Sequence, residues 1–110
     1  GTKMESRKRW MLSGLSTSSE VIVDDGARRA LIDDSRSLLP AGIAQVLGPF
    51  ERGAIVAVLD SQRQRIAAGI INYSSEELAK VKGSRSGQIE QILGHHFGDE
   101  AIHRNNMVVL

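Results

Sequence analysis

Cysteine is absent from the 110 residues. That excludes a disulfide framework, thiolate metal sites and cysteine nucleophiles, and it fits a reducing compartment. Net charge is also nearly absent: 14 Lys and Arg against 13 Asp and Glu leave +1, which argues against a protein that works by coating nucleic acid. Long apolar runs are missing. The longest, Ala54–Leu59 and Ile66–Ile71, are too short to span a bilayer. Gly1-Thr2-Lys3-Met4 is not followed by the apolar stretch of a signal peptide, so a soluble, cytoplasmic protein with no membrane partner is expected. Aromatic rings are few (Trp10, Phe50, Tyr73 and Phe97), and all four are expected in the core rather than stacking bases.

What is present suits a globular domain. An apolar share of 41% and a charged share of 25% argue against disorder. At this length one core can bury about two-thirds of the unfolded surface, and a second core would be hard to build. Charge is uneven along the chain. Residues 1–14 carry Lys3, Arg7, Lys8 and Arg9 against Glu5, whereas residues 20–36 have an acidic excess. Residues 1–14 therefore read as a linker with a short helix over Arg7–Leu12, docked by Trp10 and stopped by Gly14. Residues 15–110 read as the domain proper.

Within that domain, Ser16–Ser19 reads as a polar loop and Val21-Ile22-Val23 as a short buried strand. Asp24 and Asp25 offer N-cap oxygens to a helix over Gly26–Asp33, with Ala27, Ala30 and Leu31 on one face and Arg28 and Arg29 off it. Ser37–Leu47, broken by Pro40-Ala41-Gly42, reads as a strand, a kink and a second strand. Ala54–Leu59 and Arg65–Tyr73, joined by a polar turn, predict an antiparallel hairpin. Ser74 and Glu77 form a capping box for a helix through Val81. Ser86 is expected to cap a second helix closed by Gly94, and Met107–Leu110 to form a last strand. None of these helices is long enough for a crossover-based parallel sheet. The sum is a mainly β, α+β fold: a small mixed-sheet pseudo-barrel with short helices over its openings.

Reactive motifs are lacking. Neither G-x-x-x-x-G-K-[ST] nor G-x-G-x-x-G occurs, and the glycines stand singly at element ends, where turns explain them. His95, His96, Asp99, Glu100 and His103 are dense in ligand-type side chains but match no zinc spacing, and His103 suits hydrogen bonding near the last strand. No G-x-S-x-G elbow is present. No catalytic, cofactor-binding or metal-ligating residue is assigned. The basic residues allow two readings. Arg28, Arg29 and Arg36, with Arg63, Arg65, Lys80, Lys82 and Arg85, form a phosphate-gripping stripe, or they are ordinary surface charge paired with acids.

Taken in order, these motifs resemble a known family. Arg7-Lys8-Arg9-Trp10, Asp25-Gly26-Ala27 with Ala30-Leu31, and Ser37-Leu38-Leu39-Pro40-Ala41-Gly42-Ile43 are similar to the C-terminal PUA domain of bacterial glutamate 5-kinases. So are Gly48-Pro49-Phe50-Glu51-Arg52-Gly53, Asn72-Tyr73-Ser74-Ser75, Ile92-Leu93-Gly94 and His103-Arg104-Asn105-Asn106. The likeness runs from about Arg7 to Leu110, and Gly1-Thr2 resembles the junction with that family's kinase domain. The chain, which starts with Gly, then reads as an excised domain. Ser35, Ala54, Ala68 and Asn105 depart from the family pattern, and Ala68 thins the basic surface. The resemblance implies a PUA-like fold and a parent that phosphorylates the side-chain carboxylate of L-glutamate with Mg-ATP, opening proline biosynthesis under proline feedback. It places the ATP, glutamate and proline sites in an amino-acid-kinase domain outside this chain. It further implies an accessory role here: packing on that kinase domain through Arg7, Arg9 and Trp10, and setting homo-oligomeric assembly or proline sensitivity. The alternative is an RNA- or DNA-binding module using Arg28, Arg29 and Arg36.

Overall fold

A computed structural model describes residues 2–15 and 18–110. Ser16 and Thr17 of the expected polar loop, and Gly1 of the expected junction, lie outside the described residues. Chain order runs α1 (Lys3–Ser13), β1 (Glu20–Val23), α2 (Asp25–Asp33), β2 (Ile43–Leu47), β3 (Ile55–Leu59), β4 (Arg65–Ile70), α3 (Ser75–Val81), α4 (Ile89–Leu93) and β5 (Met107–Val109). Short 3-10 turns stand at Pro40–Gly42, Ser86–Gln88 and Arg104–Asn106.

Local chemistry starts each helix. The Thr2 hydroxyl accepts the Glu5 N–H at 3.1 Å, so α1 begins four residues earlier than its apolar part suggested. The Asp24 carboxylate accepts the Ala27 N–H at 2.7 Å. At α3 the capping box is complete: Ser74 Oγ accepts the Glu77 N–H, and Glu77 Oε1 accepts the Ser74 N–H at 2.8 Å. Ser86 departs from expectation. It lies inside its 3-10 turn, and its hydroxyl donates to the Asp99 carbonyl at 2.9 Å instead of capping α4.

The five strands form one sheet in the order β2-β1-β3-β4-β5. The β3–β4 pair is the predicted antiparallel hairpin. β1 and β3 pair in parallel, Val21 opposite Val58, which corrects the expectation of no parallel crossover. The connection is not one long helix; α2, the Pro40–Gly42 turn and β2 together supply the length that carries the chain back beside β1. The approaches to the two edge strands then meet. Leu38 and Ile102 form an isolated antiparallel bridge, with the Leu38 N–H donating to the Ile102 carbonyl at 2.9 Å. This bridge brings the two ends of the sheet together as a pseudo-barrel and shields its edges.

Val21, Val23, Val56 and Val58 point into the main core with Leu31, Tyr73, Leu78 and Ile102. The alternate residues Ile22, Ala57 and Leu59 pack on the opposite face. Met11 of α1 enters a second apolar group with Ala68 and Val108. Trp10 does not dock: it is 58% exposed, and Met11, at 1%, is the anchor. Phe97 is likewise at the surface, 38% exposed, whereas Tyr73 and Phe50 are buried as expected.

Candidate ligand and partner surfaces

A connected polar group is assembled from three loops. Tyr73 stands in the bend between β4 and α3, and its ring is buried. Its hydroxyl donates to the Gly98 carbonyl at 2.5 Å and accepts the Phe97 N–H at 2.9 Å. Burial pushes this phenol up; the Phe97 N–H works against that, while the Glu77 and Asp99 carboxylates add to it. Asn72 donates its side-chain N–H to the Phe97 carbonyl at 2.7 Å and accepts from Arg52 Nε at 3.2 Å. The Arg52 guanidinium lies over the Phe97 ring, 3.9 Å from its centroid. His95 meets the same ring at 5.0 Å, and its Nε2 pairs with Glu77 Oε2. Burial disfavours the Glu77 carboxylate, but hydrogen bonds from the Ser74 backbone and the His95 ring outweigh it and hold Glu77 below the usual range.

An exposed aromatic in a loop is thus pinned on both sides of its main chain, with Arg52 over its ring and His95 beside it. Gly98, at φ +117°, makes the turn that follows it. Beside Phe97 opens a recess of about 600 Å3, lined by Arg52, Asn72, Glu100, His103 and Asn106 with Ile70 and Ile71 as its apolar part. His103 Nδ1 accepts the Asn105 N–H at 3.0 Å, which puts the proton of the neutral ring on Nε2.

The histidine-rich stretch does not converge on one point. His95 goes to Glu77, His96 to Asp99 at 3.3 Å, and His103 to the 3-10 turn before β5. Among the described residues, no group of three or more metal-ligating side chains comes together. Nor is any helix there long and apolar enough to cross a membrane.

The arginines singled out from sequence fall on two separate surfaces. Arg28 and Arg29 line a recess of about 400 Å3 with Asp25, Asp60, Ser61 and Gln62. Arg28 Nε sits 3.6 Å from Asp60 Oδ2. Asp60 also accepts the Gln62 and Gln64 N–H groups at 2.9 Å each, so this acid organises its own turn. Arg36 lies elsewhere, in a groove of about 920 Å3 between α1, α2 and β5. Its rim holds Lys3, Arg7, Lys8, Arg36 and Arg104 against Glu5, over Ile32, Met107 and Val109. Arg7 therefore joins Arg36, while Arg9 and Trp10 stand exposed on α1 outside that lining. Arg63, Arg65, Lys80, Lys82 and Arg85 line none of these three recesses. Sequence reasoning missed Arg52 and Asn72, which lie 20 residues apart and carry no spacing signal.

Comparison with known proteins fits this architecture. The family model described as "PUA domain" matches residues 19–93. A glutamate 5-kinase from Dehalococcoides mccartyi is 49% identical over 98% of this chain, and one from Vibrio vulnificus is 44% identical over 97%. The chain spans 29% and 28% of those relatives' lengths. Among solved structures, a PUA domain from Aeropyrum pernix, in a tartrate complex, aligns with a TM-score of 0.57 and 25% identity, covering 78% of this chain and 41% of its own. A conserved PUA domain protein from Thermoplasma acidophilum aligns with a TM-score of 0.54 and 23% identity over 76% of this chain and 46% of its own. An archaeal box H/ACA sRNP Nop10-Cbf5 complex contains a chain with the same fold (TM-score 0.54, 18% identity, covering 86% of this chain and 24% of that one). A family match across residues 19–93, on a mixed five-stranded sheet that solved PUA domains share, means that this chain belongs to the PUA domain family.

Proposed function

We propose that this chain is the non-catalytic C-terminal domain of a glutamate 5-kinase, a cytoplasmic enzyme of the first step of proline biosynthesis. Its role is accessory, in homo-oligomeric assembly or in feedback by proline. The observation that carries this reading is the 49% identity over 98% of the chain to a glutamate 5-kinase. In the parent, Mg-ATP and glutamate would be bound by the amino-acid-kinase domain, and the phosphoryl group would pass to a carboxylate there. This domain would act by contact. Its α1 offers an exposed Trp10 flanked by Arg7 and Arg9, an apolar centre with a charged rim of the kind suited to an interdomain surface. Removing the domain from the full-length parent tests this, with oligomeric state measured by light scattering and ATP-dependent turnover measured against proline. A change in assembly or in the proline response is expected. The same assembly and the same inhibition curve in the truncated enzyme would refute the role.

A second reading, an RNA- or DNA-binding module, draws on one feature. Lys3, Arg7, Lys8, Arg36 and Arg104 line a single groove in which Glu5 is the one acid among the described residues. Titration with structured RNA and with duplex DNA at two salt concentrations is the test. Binding through this groove would weaken steeply with salt and fall on Arg36→Ala with Arg104→Ala. Loss on Arg28→Ala with Arg29→Ala instead would move the site to the other recess, and flat titrations at physiological salt would reject this reading.

A further inference from the structure

We propose that the recess beside Phe97 binds a free α-amino acid as its zwitterion, with Arg52 receiving the carboxylate and Glu100 the ammonium group.

The recess carries one cation and one anion that do not neutralise each other. Among the described residues, Arg52 and Glu100 both line it, and neither takes part in an ion pair. Arg52 is not a loose surface side chain. Its Nε is committed to Asn72 at 3.2 Å, and its face is committed to Phe97 at 3.9 Å. What remains is the outer edge of the guanidinium, the part that takes a carboxylate through two parallel N–H donors. Glu100 belongs to a half-buried residue and makes no hydrogen bond among the described residues. A partly desolvated carboxylate of this kind is satisfied by a cation that donates hydrogen bonds. His103 Nε2–H and the Asn106 amide add donors to the same wall, and Phe97 and Ile70 offer apolar surface for a side chain.

Each simpler ligand leaves a charge opposed or idle. A phosphate or a dicarboxylate would meet Glu100 with like charge, and a metal ion would meet Arg52. A molecule with both charges close together and a small apolar group satisfies all three features at once. Pre-organisation favours binding further, because Tyr73 and Asn72 already hold the main chain of Phe97 in place.

Amide chemical shifts of the 110-residue chain, titrated with glycine, L-alanine and L-leucine, test the assignment. Acetate and methylammonium, each alone, serve as single-charge controls. Saturable shifts at Asn72, Phe97 and Glu100 are expected with amino acids at millimolar concentration, and none with either control. Arg52→Gln and Glu100→Gln should each weaken binding by about tenfold or more. Both positions are clear of the core, and an unchanged melting temperature would show that the variants fold. Arg52→Lys keeps the charge but loses the planar edge and the ring contact, and should also bind less tightly. Saturation by acetate alone, or a Glu100→Gln variant that binds as tightly as the parent chain, overturns the proposal in favour of a plain anion site. The absence of any saturable shift with all three amino acids overturns it outright.

Discussion

Glu77 serves two structures at once, and two substitutions separate them. Its Oε1 accepts the Ser74 N–H at the start of α3, and its Oε2 pairs with His95 in the loop after α4. Glutamine keeps a carbonyl oxygen for the Ser74 N–H but gives up the negative charge; alanine gives up both. Loss of the reciprocal cap costs about 1 kcal/mol. The His95 pair has side chains 45% and 20% exposed, so solvent screening limits its worth to about 0.5–1 kcal/mol. Glu77→Gln should therefore destabilise the chain by about 0.5–1 kcal/mol and Glu77→Ala by about 1.5–2 kcal/mol. Either is readable in urea melts, and each kcal/mol corresponds to about 4 °C in Tm at this size. The pH dependence follows from the lowered carboxyl of Glu77. A folded-state pKa below the unfolded one adds stability that is complete above the ordinary glutamate value of about 4.3 and is lost as pH falls through the lowered folded value. The gap between the parent chain and Glu77→Gln should hold at neutral pH and close in acid. A gap that persists unchanged in acid, or a Glu77→Gln variant as damaged as Glu77→Ala, would refute the division into cap and pair.

Four further substitutions probe the parts that hold the surfaces in place. Met11→Ala should cost about 2–3 kcal/mol and speed hydrogen exchange in α1 before β3 and β4 respond, whereas Trp10→Ala should stay within about 0.5 kcal/mol; equal costs would contradict the burial of Met11 and the exposure of Trp10. A Cβ on Gly69 would lie 2.6 Å from Ile102 Cγ2 and 2.9 Å from the Asn106 carbonyl, so Gly69→Ala should lower the urea midpoint by the equivalent of about 1–3 kcal/mol. Tyr73→Phe removes the hydroxyl between Gly98 and Phe97 and should cost about 1–3 kcal/mol. Because burial raises the Tyr73 phenol, its contribution is complete below the ordinary tyrosine value of about 10 and is lost as pH rises through the higher folded value; Tyr73→Phe should lack that alkaline decline.

The parts of this fold written locally were legible in the sequence. The Ser74/Glu77 box, the Asp24 cap and the β3–β4 hairpin each depend on residues a few positions apart, and each formed where the spacing put it. The parallel β1–β3 pair depends on where the chain returns after β2, which no short window contains. Trp10 was misplaced for a different reason. Trp10, Met11 and Leu12 are adjacent and apolar, but adjacency is not a helical face. Lys8 and Met11, three residues apart, share a face of α1: Lys8 is half-buried and lines the groove with β5, Met11 is buried, and Leu15, beyond the helix, packs on the same apolar group as Met11.

The candidate sites were less legible because they are made by pairing, not by spacing. Arg52, Asn72 and Phe97 come from three loops, and main-chain hydrogen bonds such as those from Gly53 to Ile71 at 2.8 Å and from Asn72 to Ala101 at 2.8 Å help bring those loops to one place. The same closure sets the relation between the two larger recesses. The Arg104–Asn106 turn stands between them: His103 and Asn106 line the Phe97 recess, while Arg104 and Met107 line the groove under α1. That turn is held at both ends, by the Arg104 N–H on Ser37 Oγ at 2.8 Å and the Asn106 N–H on the His103 carbonyl at 2.8 Å. A partner seated in the α1 groove and a small molecule in the Phe97 recess would therefore each touch a residue of one short turn, Arg104 and Asn106 respectively. Behind the turn, the Asn106 carbonyl lies so close to Gly69 of β4 that a Cβ there would come within 2.9 Å of it, so the turn packs directly against the sheet.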